Sequence, residues 1–109
     1  MTPADRLAAL PERLRAAARD DATVRHELAR YVRGAVPLGY ALGRVAEHLG
    51  HLQTIALAHG PGRSGWPAQL CQWRWPDGVR CLGAGAGLAA YPGGGWAWAC
   101  EDRRARLSM

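Results

Sequence analysis

Around Pro76-Asp77-Gly78 the chain alternates strictly, with Cys71-Gln72-Trp73-Arg74-Trp75 before the turn and Val79-Arg80-Cys81 after it. Alternation of this kind requires strands, because successive strand side chains point to opposite faces of a sheet. Proline pre-sets φ, aspartate bonds its own backbone and glycine tolerates positive φ, so the intervening tripeptide is a hairpin turn. A three-residue loop pairs Trp75 with Val79 and Trp73 with Cys81. Cys71, Trp73, Trp75, Val79 and Cys81 then share an apolar face, and Arg74 and Arg80 share a cationic one. Trp96-Ala97-Trp98-Ala99-Cys100 repeats the alternation and is expected to pair with residues 88–91 across Pro92-Gly93-Gly94-Gly95.

Everything before His59 follows a helical rhythm instead. Thr2-Pro3-Ala4-Asp5 carries the signals of a helix start: a hydroxyl cap, proline in the first turn and an acid behind it. Leu7, Leu10, Leu14 and Ala17 follow at helical spacing, with Pro11 predicting a kink or restart. A second helix is expected from Asp20 or Asp21, carrying Val24, Leu28 and Tyr31 and ending near Gly34. Beyond Pro37, Leu38, Leu42, Val45, Leu49, Leu52 and Ile55 form an uninterrupted apolar stripe, which predicts one amphipathic helix of five to six turns. Gly39 and Gly43 weaken that helix, so close backbone approach by another element is expected on their face. The prediction is an α+β fold in one domain. Helices over about 3–58, within a helical region spanning 1–59, lead through a Gly/Pro linker at 60–68 to a tryptophan-lined antiparallel sheet of hairpins over about 69–101, followed by a frayed basic tail at 102–109.

All fourteen basic side chains are arginine, and the net charge is +5. With no lysine, phenylalanine or asparagine and much alanine and glycine, the composition fits GC-rich coding, as in a bacterial or phage genome. The surplus charge still favours acidic partners. No apolar run approaches the ~18 residues of a membrane span, and no signal-peptide pattern opens the chain, so a cytoplasmic protein without membrane contact is expected.

The candidate sites are few. His48 and His51 lie three apart on the long helix, and Cys71 and Cys81 share a hairpin face, which together make a conceivable zinc set. The nine-residue gap between those cysteines is not a zinc-knuckle spacing. Alternation with tryptophan places the thiols in the core, so no metal and no cofactor is expected. Trp73, Trp75, Trp96 and Trp98 are expected as the aromatic core, with Trp75→Ala costing about 3–5 kcal/mol. Trp66, in the linker, is the surface tryptophan suited to anchoring a partner.

Ala46-Glu47-His48-Leu49-Gly50 resembles the first helix and turn of a bacterial helix-turn-helix, with the downstream hairpin as a wing. The resemblance implies a second helix offering His51, Gln53 and Thr54 to bases, and Arg103 and Arg104 of the basic tail join them in a nucleic-acid reading. The branched residue of that pattern falls one place early, at Ile55, and the continuous stripe reads as one helix. No nucleophile elbow or cysteine-histidine signature is present, so catalysis is not expected. The sequence predicts a non-enzymatic interaction or regulatory module, with a homodimer among its expected forms, that presents Arg44, Arg63, Trp66, Arg74 and Arg80 to a protein partner. Nucleic-acid binding is the alternative.

Overall fold

A computed structural model describes residues 2–60 and 70–107 and shows an α+β architecture, with the helices mostly N-terminal and the sheet near the C-terminus. The helical region begins as its caps dictate. Around α1 (Pro3–Ala9), the Thr2 hydroxyl accepts from the Asp5 amide and the Asp5 carboxylate accepts from the Thr2 amide, each at 3.1 Å, a reciprocal capping box. The chain restarts at Pro11 to form α2 (Glu12–Asp20). Asp21 then caps α3 (Ala22–Val32), accepting from the amides of Thr23 and Val24 at 2.9 and 3.1 Å. Gly34, with φ of 85°, turns the chain toward Pro37 and α4 (Leu38–Leu49).

The single long helix expected after Pro37 is two. Gly50 separates α4 from α5 (His51–His59) with φ 94° and ψ 152°, a region of backbone space open essentially to glycine alone. The break shifts the helical phase, so residues beyond it leave the stripe that precedes it. Leu52 is consequently 77% exposed, while Thr54 is fully buried and its hydroxyl donates to the Gly50 carbonyl at 2.8 Å. The core of the helical region is Leu10, Leu14, Val24, Leu28, Leu42, Val45 and Ala46, joined by Leu82 from the C-terminal region.

The first hairpin has the expected register. Arg74 stands opposite Arg80 and Leu70 opposite Ala84, and the Trp75 amide donates to the Val79 carbonyl and the Cys81 amide to that of Trp73, both at 2.9 Å. The Asp77 carboxylate closes the turn by accepting from the Val79 amide at 3.0 Å. Regular sheet, however, is confined among the described residues to β1 (Gly87–Ala90) and β2 (Trp96–Ala99), which pair antiparallel with Leu88 opposite Trp98. Gln72 joins the two hairpins: its amide donates to the Trp98 carbonyl, and its side-chain oxygen accepts from the Trp98 amide, both at 2.8 Å.

This β region lies against α4 through glycine. A Cβ at Gly39 would collide with Cys81 Sγ and one at Gly43 with the Arg80 carbonyl, which accounts for two glycines in a helix interior. The tail is ordered as α6 (Glu101–Leu107), packed on β1 and β2, where fraying was expected.

The tryptophans sit shallower than their alternation implies. Trp96 is 72% exposed, and Trp73, Trp75 and Trp98 are half-buried. Alternation assigns a face and says nothing of depth, and the deep positions on this face belong to Cys71, Val79 and Cys81. Trp66 and Arg63 lie outside the described residues. No described helix is long and apolar enough to cross a membrane.

Candidate functional site

Cys71 and Cys81 come from opposite strands of the first hairpin, and Cys100 follows β2 immediately before α6. Their three Sγ atoms lie within 4.8 Å of one another, with Cys81 Sγ and Cys100 Sγ 3.8 Å apart. Cys71 and Cys81 are buried and Cys100 is half-buried; all three are free thiols. That Cys71 and Cys81 share one face was legible in the hairpin register. The arrival of Cys100 was not, because it depends on how the second hairpin docks on the first.

Electrostatically the cluster behaves as one unit. Hydrogen bonds from the Cys100 and Cys81 thiols, with help from the Cys100 and Trp73 amides, hold Cys71 well below the ordinary thiol range. Cys81 is pushed up by Cys100, Cys71 and burial, and Cys100 is pushed up chiefly by Cys71. One negative charge is therefore readily accommodated among the three sulfurs and further charge is resisted. Each sulfur has backbone amides acting to stabilise its anion: Trp73 and Cys100 on Cys71, Gly83 on Cys81, Arg103 on Cys100. Beside them Tyr91, whose hydroxyl donates to the Trp98 carbonyl at 3.0 Å, is raised to about 12 by burial and by the charge of Cys71.

The two histidines of the conceivable zinc set do not join the thiols. His48 Nε2 meets Asp21 Oδ2 at 2.8 Å, which ties α4 to the cap of α3, and His51 is exposed. Among the described residues the thiols alone converge as a metal-binding set. His59, unmarked by the sequence pattern, lies in the same region, its Nε2 2.8 Å from the Leu82 carbonyl.

The described arginines differ in what they contact. Arg44 reaches Glu47 at 2.9 Å and Glu27 at 3.5 Å, so this expected contact residue is satisfied within the fold. Arg74 and Arg80 stand directly opposite each other, a like-charge pair that costs stability, and Arg74 donates to the Gly78 carbonyl at 3.5 Å. Arg103, expected in the nucleic-acid reading, instead lies over Trp73 and Trp75, 4.1 and 5.3 Å from their ring centroids. Arg104 lies against Gly87. His51 and Gln53 are exposed on α5, but Thr54 is sealed into the core and is not available to read bases.

A groove of about 390 Å³ opens where α1, α2 and α3 meet. Leu7, Leu10, Leu28, Ala29 and Val32 line it, with Arg15, Arg19 and Arg25 at its margin. Arg15 and Arg19 share the single carboxylate of Glu12, at 3.1 and 2.9 Å, so the margin remains cationic. No sequence motif marks this groove; it arises because Pro11 turns α2 relative to α1 and leaves Leu7 half-exposed. Compared with protein-family models, curated proteins and solved structures, the chain matches none of them.

Proposed function

We propose that this chain is a small non-enzymatic interaction module that captures an amphipathic, acid-flanked helix of a protein partner in the α1–α3 groove. The observation that carries the reading is the groove itself: an apolar floor from Leu7, Leu10, Leu28 and Val32, bounded by the guanidiniums of Arg15, Arg19 and Arg25, the first two of which share the Glu12 carboxylate. A helix presenting apolar side chains at i, i+3 or i+4 and i+7 fills such a floor, and carboxylates beside that stripe meet the arginines. A second copy of this chain is a poor occupant, because it would bring further arginine to an arginine margin.

The break at Gly50 gives the helix-turn-helix reading its bend, yet α5 carries no arginine, lysine or asparagine and buries Thr54. Major-groove readout rests above all on arginine, lysine, asparagine and glutamine, and of these α5 offers Gln53 alone. The experiment is fluorescence anisotropy with a leucine-striped helical peptide flanked by glutamates, its lysine-flanked counterpart, and duplex DNA. The expected result is selective binding of the acidic peptide, weakened at least about tenfold by Ala29→Glu, which places a carboxylate on an exposed groove position. DNA binding whose log K falls linearly with log salt and survives at physiological ionic strength would replace this reading with the nucleic-acid one.

A further inference from the structure

We infer that Cys71, Cys81 and Cys100 form a binding site for one thiophilic d10 cation, zinc(II) foremost, that holds the β region and α6 together.

Three observations converge on it. The first is geometric. A tetrahedral zinc with bonds of about 2.3 Å keeps its sulfurs about 3.8 Å apart. Cys81 and Cys100 already stand at 3.8 Å, and all three sulfurs lie within 4.8 Å, so drawing them to one ion requires sulfur movements of about 1 Å or less, within reach of χ1 adjustment.

The second is the space kept around the sulfurs. Two glycines border the cluster: a Cβ at Gly39 would collide with Cys81 Sγ, and one at Gly83 would lie 3.0 Å from Cys100 Cβ and 3.5 Å from the sulfurs of both Cys81 and Cys100.

The third is energetic. Among the described residues after 60, Leu82 alone joins the buried apolar cluster, and the remaining deep positions are Cys71, Val79, Cys81, Ala89 and Ala99. So little apolar area is a weak foundation for two hairpins and a helix, and small scaffolds of this kind are commonly held by a metal or a disulfide. Cys100, the half-buried member, provides the route of entry. With three protein ligands, the fourth position is left to a solvent or exogenous donor. This site differs from the zinc set suggested by sequence, since neither His48 nor His51 takes part.

The test uses the whole chain, reduced and stripped with a chelator, then titrated with cobalt(II) and zinc(II). One cobalt per chain is expected, with thiolate-to-cobalt charge-transfer bands in the near ultraviolet that zinc abolishes stoichiometrically. Cys100→Ser should lower zinc affinity at least about 100-fold, since loss of even an outer-shell partner costs 10–100-fold, whereas His51→Ala should change nothing. A second measurement needs no variant: zinc should protect all three thiols from alkylation, and a chelator should restore their reactivity. Absence of thiolate-to-cobalt bands, or alkylation at equal rates with and without zinc, would overturn the inference. Recovery of a Cys81–Cys100 disulfide from zinc-loaded protein would overturn it too, in favour of redox chemistry at that pair.

Discussion

The helical region and the β region of this molecule bury different chemistry. Residues 2–60 close around leucine and valine at helical spacing, with Leu14, Val24 and Val45 wholly inaccessible. Residues 70–107 carry four of the five tryptophans, yet keep Trp96 at the surface and place sulfur at the deepest points. Large aromatic area in a sequence therefore does not by itself mark a core. A side chain must also be covered, and the hairpin face here is covered only where α4 offers Gly39 and Gly43. Trp75 has Tyr40 edge-on at 5.0 Å and Arg103 over its ring, partners that shelter it without burying it.

The largest expected difference between the two regions is in large-to-small substitution. Leu42→Ala, in the helical core, should cost about 2–5 kcal/mol in urea denaturation, whereas Trp96→Ala, which removes more atoms, should stay within about 0.5 kcal/mol. Equal losses would mean that the second hairpin is packed more deeply than its exposure indicates. Next comes the seam between the regions. Gly39→Ala raises helix propensity but thrusts a methyl at Cys81 Sγ, so a net loss of about 1–3 kcal/mol is expected. A stabilised Gly39→Ala protein would show that the seam is looser than the close approach at Gly39 indicates.

The smallest effect is acid-dependent and belongs to the helical region. His48, the largest cause, and the amides of Val24 and Thr23 lower the Asp21 carboxyl below its ordinary value of 3.8. A depressed carboxylate contributes stability above its unfolded pKa and loses it as pH falls through the folded one. The contribution of Asp21 should thus persist at neutral pH and disappear below pH 3.8, a step that Asp21→Asn should remove from the acid-unfolding profile. An unchanged profile in the variant would detach the cap from acid stability.

Most of the fold was legible wherever one local rule dominates. Thr2 and Asp5, Pro11, Asp21 and Gly34 punctuate the helices where capping and steric rules place them. Pro76-Asp77-Gly78 set the hairpin register, and the glycines at 39 and 43 announced a close approach. The break at Gly50 was marked only by the helix-turn-helix resemblance, because leucines continue at helical spacing through it and periodicity is blind to a phase change of one residue's backbone. Cys100 joined the cluster only through the docking of one hairpin on another, a long-range event with no local signature. The α1–α3 groove escaped notice for the same reason, since Leu7 and Leu28 belong to stripes that each read as ordinary core.

Two regions of one chain are thus held by different means, an apolar core before residue 60 and a thiol cluster after 70. Residue-resolved hydrogen exchange on the wild type and on Cys71→Ser tests this difference most directly. If the thiol cluster holds the β region, the substitution strips protection from amides of residues 70–107, including Cys81 and Trp98, while those of α2, α3 and α4 keep theirs. Uniform loss across both regions, or no loss in either, would contradict it.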